Sequence, residues 1–472
     1  MASSHKPDGF LQNLFFSSGR LPKYLRALVV SYGSLGVVFL FTAITVPLGI
    51  RTMGLEDWGI WVFCQQASAV ICLFESFTQS AFVRLLIQVK DDRTSEDYKR
   101  MVTMGKLSFC FQGLLLVALH AGFAALLPLL FPNFTSMSGY ITVWILGIAG
   151  LVNQIGKVNG QLLYAHQHQD RASFAGTAGL FLSLLILVAC LPRYPHPQTM
   201  AWAFLASSVL SQVLYWLFAR STGCLPSYPG FPRIRLHDFQ PLWIWGRRFF
   251  LYSLLDNLAT NLPVLLAGRF LSLEMVGVWG VLQRIANMMS QTVSKISQLA
   301  VPALMEMHAR GEETQFRKRS RQVLWVQNSL AGLGLGIIAT GGDALLRIWL
   351  GKPIPLGAWV LPLFTLALLA DFDQRTRFGL ETVRMQIRRP TFASFLKVSL
   401  LFVSIPLLIH FYGLMGMSIA LAFVYAVILL PLSISKTLFP NSYSLSWHAS
   451  FGGLAMFMIG SALGLLGKFF WA

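Results

Sequence analysis

Long apolar runs separated by short polar segments are the most regular pattern in the chain. Runs of roughly 20 residues, the length that crosses the hydrocarbon core of a bilayer, recur from Ala27 to Phe470. They predict thirteen membrane-spanning helices, which we number α1 to α13. The predicted helices cover residues 27–50, 58–88, 102–130, 138–164, 172–191, 199–218, 243–271, 273–304, 322–341, 355–374, 392–411, 414–435 and 448–468.

The pattern of charged, glycine and tryptophan residues around the α1–α2 junction occurs twice. Residues 48–61 align with residues 266–279 at an offset of 218, and six of the 14 aligned positions are identical. The identical positions are Leu48, Arg51, Leu55, Glu56, Gly59 and Trp61. Because an even number of helices separates the two copies, both have the same orientation. The sequence therefore predicts two parallel repeats related by an axis along the membrane normal.

The repeat predicts two lobes of six helices joined by a linker that is rich in proline. The predicted fold class is an all-α polytopic membrane protein, with two six-helix bundles and one extra C-terminal helix. Its predicted parts are a tail at 1–26, an N-lobe at 27–218, a linker at 219–242, a C-lobe at 243–435 and an extra transmembrane segment at 436–472. In the tail, apolar residues recur at helical spacing, which is typical of an interfacial helix. A disordered tail is an equal alternative.

Composition and charge restrict the function classes. Hydrophobic residues make up 55% of the chain and charged residues 12%, against roughly 25% charged in a soluble protein. The net charge of +18 would suit a nucleic acid, but 29 of the 37 lysines and arginines fall on one side of the predicted membrane. By the positive-inside rule, the N-terminus is cytoplasmic and, after thirteen spans, the C-terminus lies outside. The uneven distribution of basic residues therefore indicates how the chain is oriented in the membrane, and no nucleic-acid partner is expected.

Catalytic and metal-binding patterns are weak. Asp371 and Asp373 match a short Asp-x-Asp metal pattern, but they are predicted at the end of α10, where a helix-terminal pair of charges is the favoured interpretation. The chain has no glycine-rich phosphate loop followed by Lys and Ser or Thr. We therefore expect no enzyme activity, no cofactor and no resident metal.

Helix α8 carries the clearest candidate binding face. Arg284, Gln291, Lys295 and Gln298 follow one another at spacings of seven, four and three residues, which places them on one side of a helix. Ionisable residues inside a bilayer cost about 2.5–3.5 kcal/mol each on insertion scales, so they usually face a cavity or a partner. Arg284 and Lys295, about 16 Å apart along the helix, would form a cationic ladder for an anionic substrate. The alternative is that Lys295 reaches the membrane interface and only Arg284 is deep.

Helix α2, the repeat mate of α8, has a polar face with one carboxylate. The members of this face are Gln65, Ser68, Cys72, Glu75 and Gln79. The offset of 218 makes Gln66 the counterpart of Arg284, and Gln66 is a candidate for substrate binding. Glu75 is a candidate to neutralise Arg284 or Lys295 in the empty site, or to bind H+ or Na+ and couple an ion gradient to transport. A structural ion pair is the alternative for Glu75.

Two further helices carry polar residues near their middle. In α7, Asn257 is a candidate substrate contact, and Asp256 is a candidate second ion site or counter-charge for Arg284. In α4, Asn153 and Lys157 lie one turn apart. Lys157 either reaches a cavity or anchors the end of α4 at the membrane surface, and the anchor is the favoured interpretation.

Basic residues near helix ends are candidates for the path into and out of the membrane. Arg247 and Arg248 lie at the cytoplasmic end of α7, where they would meet an incoming headgroup or anionic lipid. The repeat mates Arg51 and Arg269 lie at the outer ends of α1 and α7. They would receive the substrate at the exit or, as the favoured interpretation, pair with the neighbouring repeat glutamates. Trp58, Trp61 and Trp279 beside them are placed in an interfacial aromatic belt.

Three stretches resemble polysaccharide and O-antigen flippases of the multidrug/oligosaccharidyl-lipid/polysaccharide exporter superfamily. They are GIRTMGLEDWGIW at 49–61, LSLEMVGVWGVLQRIA at 271–286 and LAVPALMEMHARG at 299–311. The resemblance covers both lobes and implies a V-shaped pair of bundles with a cavity between them, lined by α1, α2, α7 and α8. It implies that a polyprenyl-diphosphate-linked oligosaccharide crosses the bacterial inner membrane by alternating access. The implied partners are membrane lipids, H+ or Na+, and the polysaccharide polymerase and chain-length machinery.

Two other functions stay open at the level of sequence. An ion-coupled exporter of cationic drugs would need a cavity dominated by carboxylates, whereas α8 is cationic. A membrane polymerase or ligase would need catalytic residues in a large outside loop, and the largest predicted one covers only 342–356. The flippase is therefore the preferred prediction.

Overall fold

The protein is helical throughout the part of the chain that the structure, a computed structural model, describes. The described residues are 21–131, 134, 136–166, 168–226, 236–384, 388–430 and 448–471, and no strand occurs among them. The predicted helix of the tail and the central part of the predicted linker lie outside these residues. Within them, the predicted all-α class is confirmed.

The first six helices follow the predicted order. Helices α1 and α2 form one stretch, Leu21–Ile71, which bends at Gly54 (φ 86°, ψ 173°). A glycine is required there because a positive φ with extended ψ is a region that essentially only glycine adopts. The α2 helix continues through a 3-10 turn, Cys72–Glu75, into Ser76–Val89. The remaining helices are α3 (Glu96–Leu130), α4 (Met137–Ala165), α5 (Gln169–Cys190) and α6 (Pro197–Ser221).

The second half repeats this arrangement. After a 3-10 turn at Leu236–Phe239 come α7 (Gln240–Phe270), α8 (Leu273–Ala309), α9 (Glu313–Leu350) and α10 (Val360–Val383). Helices α11 and α12 again form one stretch, Arg388–Ala422, which bends at Gly413. The α12 helix ends in a π-helical turn, Phe423–Leu429, and α13 covers His448–Trp471.

Length and hydropathy identify the membrane-crossing helices. Within the described ranges, eight helical stretches are long and apolar enough to cross a membrane. Two of them, Gly33–Ile71 and Arg388–Val427, each contain two predicted spans on either side of a glycine bend. Helices α8 and α10, which carry candidate charged residues, are not among the eight, and α13 contributes the shorter apolar helix Ser450–Leu466. The protein is therefore a multi-pass membrane protein.

The thirteenth helix lies outside the repeat but packs tightly on α9. A Cβ atom added to Gly332 would overlap the carbonyl oxygen of Gly453, and one added to Gly336 would overlap that of Phe457. Small residues at a spacing of four let two membrane helices approach to backbone contact. The docking of α13 therefore depends on the glycines of both helices.

The two lobes meet where the sequence repeats. A Cβ atom on Gly59 of α2 would overlap the carbonyl oxygen of Leu273, and one on Gly277 of α8 would overlap that of Leu55. These four residues are repeat mates in pairs, so the contact is symmetric about the axis between the lobes. Glycine recurs at both positions because only a hydrogen atom fits between the two backbones.

Trp58, Trp61 and Trp279 are core residues, which contradicts the interfacial belt predicted from their position near the helix ends. Trp58 and Trp279 are 1% and 0% exposed. Trp58 lies over Gly49, and Trp279 packs edge-on against Phe364 with a centroid distance of 5.1 Å. The helices around the α1–α2 and α7–α8 links cover these side chains, which position along the sequence alone does not reveal.

Candidate functional site in the N-lobe

Polar side chains of α2, α4 and α6 enclose a cavity of about 490 Å³ inside the N-lobe. This volume lies within the range of about 300–1,000 Å³ found for ligand pockets. The sequence predicts a cavity between the lobes, lined by α1, α2, α7 and α8. Of these four helices, only α2 contributes described residues to the lining of the N-lobe cavity. The described lining residues are Gln65, Ser68, Ala69, Cys72, Gln79, Leu146, Gly150, Asn153, Lys157, Gly160, Gln161, Tyr164, Phe204, Gln212 and Tyr215.

Neutral hydrogen-bonding groups dominate this lining. Five of the described lining side chains are carboxamides, two are tyrosines, one is a lysine and none is a carboxylate. Four of the five residues on the predicted polar face of α2 line the cavity. The side chain of the fifth, Glu75, lies outside the described part of the chain. Lys157 lines the cavity, which is the less favoured of its two predicted placements.

Glycines of α4 make room for side chains of α6. A Cβ atom at Gly156 would overlap the carboxamide of Gln212, and one at Gly160 would lie 3.8 Å from the ring of Tyr215. The short repeat of these glycines, one turn apart, lets both α6 side chains lie flat against α4. The cavity wall between α4 and α6 is therefore formed by α6 side chains that pack directly against the backbone of α4.

A chain of hydrogen bonds fixes the carboxamides of this wall. Gln212 Nε2 donates to Asn153 Oδ1 at 3.2 Å, and Asn153 Nδ2 donates to Ser208 Oγ at 3.1 Å. Ser208 Oγ in turn donates to the carbonyl oxygen of Phe204 at 3.0 Å. One N–H of each carboxamide is used inside the protein, so the orientation of both carboxamides is determined before any ligand binds.

Behind the opposite wall lies His120 of α3, which the sequence analysis does not single out. His120 Nε2 is 2.9 Å from Ser68 Oγ, and its Nδ1 is 2.7 Å from the carbonyl oxygen of Leu116. Gly147 of α4 leaves space for the imidazole, since a Cβ atom there would lie 3.0 Å from the Cβ of His120. A histidine inside the apolar run of α3 was the one available sequence signal.

Arg284 joins the C-lobe to the rim of this cavity. Its Nη2 donates a hydrogen bond across the lobe boundary to Oε1 of Gln65, which lines the cavity. The predicted repeat counterpart, Gln66, is not the partner. Arg284 lies eleven residues into α8, about 16 Å from its start and thus near the middle of a hydrocarbon core of about 30 Å.

Gln65, the partner of Arg284, and Lys157 lie at different levels along the cavity. Cys64, next to Gln65, donates from Sγ to the carbonyl oxygen of Gly139 at 3.7 Å, which places Gln65 near the start of α4. Lys157 follows Gly139 by eighteen residues along α4, about 27 Å of helix. Two cations from different lobes are thus associated with this cavity, Lys157 in its lining and Arg284 through Gln65.

Two other predicted members of the α8 face do not line this cavity. Neither Gln291 nor Lys295 is among its lining residues. The side chain of Gln298 lies outside the described part of the chain, as do those of Arg247 and Arg248, whose roles stay predictions.

The polar residues of α7 point elsewhere. Asp256 lies 3.8 Å from Arg375 of α10 and does not form the predicted pair with Arg284. Asn257 Nδ2 donates to the carbonyl oxygen of Ser253 in its own helix at 2.8 Å. Both residues therefore serve contacts within the C-lobe in this structure.

Helix α10 carries the charged interior of the C-lobe. Asp371 accepts hydrogen bonds from Arg375 Nε at 2.7 Å and from Lys397 Nζ at 2.6 Å. Asp373 pairs with Arg377 at 2.7 Å. The prediction of a helix-terminal charge pair is wrong, because α10 continues to Val383 and both aspartates lie near its middle.

Several basic residues counted with the α10–α11 connection are likewise inside helices. Arg377, Arg389 and Lys397 are each at most 3% exposed, and all three are held in ion pairs. The charge asymmetry between the two membrane faces therefore rests on fewer loop residues than the sequence count suggests. Ion pairing inside the lobe explains how these charges are accommodated.

Arg51 bridges the lobes and does not form the predicted pair with Glu56. Its Nε donates to the carbonyl oxygen of Leu350, at the C-terminus of α9, at 2.9 Å. Lys352 donates in return to the carbonyl oxygen of Ile50 in α1 at 3.2 Å. Among the described residues no ion pair joins Arg51 to Glu56, nor their repeat mates to each other, because cations at these helix ends are satisfied by unpaired carbonyl groups.

The fold defines a class of two-lobed membrane proteins. It is similar to an inward-facing multidrug resistance MATE family transporter of the MOP superfamily (TM-score 0.69, 11% identity, 94% of this chain and 98% of that one). It is also similar to the lipid II flippase MurJ in an inward closed conformation (0.65, 12%, 94% and 100%) and to the MATE multidrug transporter DinF-BH (0.64, 15%, 90% and 96%). At these identities the likeness establishes the fold.

Residues 50–330 match the model of a family described as polysaccharide biosynthesis protein. The match covers more than half of the 472 residues, and the chain belongs to this family. No curated protein matches the chain.

Proposed function

We propose that the protein is a flippase for lipid-linked oligosaccharide. It moves a polyprenyl-diphosphate-linked glycan from the cytoplasmic to the outer leaflet of the bacterial inner membrane for the biosynthesis of cell-surface polysaccharide. The observation that carries the proposal is that Arg284 of the C-lobe reaches Gln65 at the rim of a neutral polar cavity in the N-lobe. The polysaccharide biosynthesis family and the two-lobed fold support it.

The two cations associated with the cavity suit the diphosphate. Arginine binds phosphate oxygens through a planar, bidentate pair of N–H groups, whereas lysine acts as a mobile point charge. In the predicted topology, Lys157 faces the cytoplasmic end and Arg284 lies deeper. The diphosphate would therefore meet Lys157 first and Arg284 second, while the polyprenyl chain stays in the lipid.

Release to the outer leaflet requires the lobes to separate at their outer ends. The contacts that must open are the backbone contact of Gly59 with Gly277, the hydrogen bond of Arg51 to α9 and that of Lys352 to α1. Each is small, and none involves a buried ion pair. Rocking of two repeats about a central site is the usual basis of alternating access.

The alternatives fit the described residues less well. A drug exporter that recognises cations needs carboxylates in its cavity, and the described lining contains none. A polymerase needs a large outside loop, and the α9–α10 connection covers only 351–359.

Glu75 and Asp256 stay the proposed ion-coupling residues for H+ or Na+; coupling at Asp256 would act through its contact with Arg375. A polymerase and chain-length proteins are the proposed partners.

Substitution of Arg284 tests the proposal. In cells that lack the native gene, Arg284→Ala should cause complete lipid-linked repeat units to accumulate on the cytoplasmic side. The transport rate should fall roughly 10- to 100-fold, since hydrogen bonds to charged groups contribute about 1.5–3 kcal/mol each. Arg284→Lys should retain part of the activity.

Arg193→Ala is the matched control, because Arg193 is exposed in the α5–α6 connection. Equal amounts of folded protein are confirmed for each variant. Wild-type surface glycan in cells with Arg284→Ala would overturn the proposal.

A further inference from the structure

We infer that the N-lobe cavity is a sugar-binding subsite, which recognises the uncharged, hydroxyl-rich glycan and is energetically separate from the phosphate contact of Arg284. The inference rests on the proposed function and assigns a different part of the substrate to each lobe. The N-lobe recognises the sugar, and the C-lobe supplies the deep cation for the diphosphate.

Ser68 presents only acceptor capacity to the cavity. The carbonyl oxygen of Leu116 can only accept, so His120 Nδ1 carries the proton in their 2.7 Å hydrogen bond. Nε2 of the neutral ring is then an acceptor, and the Ser68 hydroxyl donates to it at 2.9 Å. Because its proton is committed, Ser68 Oγ can only accept a hydrogen bond from a ligand. Sugar hydroxyl groups are suitable donors.

Gln212 offers a second acceptor on the facing wall. Its Nε2 donates to Asn153, whereas its Oε1 is buried beside Gly156 and has no hydrogen-bond partner among the described residues. A buried acceptor without a donor is costly, and a ligand hydroxyl would satisfy it once the Gln212 side chain turns from Gly156 toward the cavity that it lines. Both walls therefore present acceptors, and the hydroxyl groups of a sugar supply several donors at once.

The rest of the lining also suits a sugar. Tyr164 and Tyr215 provide aromatic surface with a polar tip at the end of the cavity that contains Lys157. Sugar rings have apolar C–H faces and polar edges, so they match a wall that combines aromatic rings with carboxamides. The pocket of the C-lobe beside α13 differs, since it has about 140 Å³ and is mainly apolar.

The test separates sugar binding from phosphate binding. The full-length protein in lipid nanodiscs is titrated with undecaprenyl diphosphate and with undecaprenyl diphosphate carrying one glucose, galactose or N-acetylglucosamine. The ratio of the two dissociation constants isolates the contribution of the sugar. At least one sugar should bind at least 5-fold more tightly than the bare lipid.

Ser68→Ala and Gln212→Ala should each reduce that ratio about 5-fold, as expected for loss of one hydrogen bond of about 1 kcal/mol, and leave binding of the bare lipid within 2-fold. Arg284→Ala should weaken both lipids equally and preserve the ratio. Ser183→Ala, a buried serine of α5 away from the cavity, is the control. Two cavity variants are measured so that the test still holds if one of them fails to fold.

The inference is overturned if no sugar improves binding, or if both cavity variants weaken the bare lipid as much as the glycosylated one. If Arg284→Ala leaves the bare lipid unaffected while the cavity variants reduce the ratio, the sugar subsite stands and the phosphate role in the proposed function fails.

Discussion

The two lobes share one helix order, but they use buried polar residues in opposite ways. In the N-lobe, carboxamides of α2, α4 and α6 line a cavity of about 490 Å³. In the C-lobe, the polar residues of α10 are charged and are consumed in ion pairs, such as Asp371 with Lys397 at 2.6 Å. A neutral carboxamide can face a cavity at moderate cost, whereas a buried charge requires a partner. Only the first arrangement leaves hydrogen-bonding capacity for a ligand.

The connections between helices also differ in polarity from one lobe to the other. In the N-lobe, Tyr98 Oη donates to the carbonyl oxygen of Cys224 and lies 2.9 Å from His166 Nε2, so neutral groups join three segments. In the C-lobe, Arg384 pairs with Glu313 at 2.9 Å. Arg93 of the N-lobe also donates to neutral carbonyl groups, those of Thr222 and Gly223, whereas Arg384 of the C-lobe binds a carboxylate.

The largest effect is expected from breaking an ion pair of the C-lobe. Arg377→Met leaves Asp373 buried without its counter-ion and should lower the free energy of unfolding by about 3–5 kcal/mol. The double variant Arg377→Met/Asp373→Leu should recover most of this loss, because it removes both charges. Unfolding of the purified protein in detergent measures both. Equal stability of Arg377→Met and the wild type would show that the C-lobe charges are not structural.

A matched change in the N-lobe should affect transport and not stability. Lys157→Met should lower the free energy of unfolding by less than about 1 kcal/mol and reduce the transport rate roughly tenfold, since it removes one cation from the path of the diphosphate. Lys157→Arg should restore most of the rate. A loss of stability as large as that of Arg377→Met would abolish the contrast between the lobes.

The smallest effect concerns pH at the N-lobe loop end. Burial and the neighbouring Arg93 lower the pKa of His166 to about 4, against about 6.5 in an unfolded chain. The unfolded state therefore binds the proton more readily, and stability should fall as the pH drops from about 6.5 to about 4. His166→Gln should show a shallower fall over this interval. Parallel stability curves for the two proteins between about pH 7.5 and about pH 4.5 would contradict the assignment.

Particular residues show how far sequence reasoning reaches. The polar faces of α2 and α4 were predicted from helical spacing, and most of their described members line one cavity. Gln65 was placed on the polar face of α2, but the predicted partners of Arg284 were the carboxylates Glu75 and Asp256, because helical spacing does not show which member of a face meets the other lobe. His120 was missed because a single polar residue has no periodicity to reveal the face it occupies.

The ion pairs of α10 could not be predicted for a related reason. Hydropathy assigned Asp371 and Asp373 to the end of a span, since charged residues interrupt the apolar run. Arg375 and Arg377, each four residues further along α10, and Lys397 of α11 compensate the two charges and allow the helix to continue. A window of sequence contains the two arginines, but it shows neither that they pair inside the lobe nor that Lys397 joins them.

By itself, the sequence determined the class of fold, the parallel repeat and the approximate limits of the helices, because apolar length and repeated spacing are local properties of the chain. The tertiary structure decided which polar faces meet. Helical periodicity defines a face but not its neighbour, and only packing directed the α2 and α4 faces into a cavity and the α10 charges into ion pairs. It also placed Gly59 against the backbone of α8, where the absence of a side chain lets the two lobes touch.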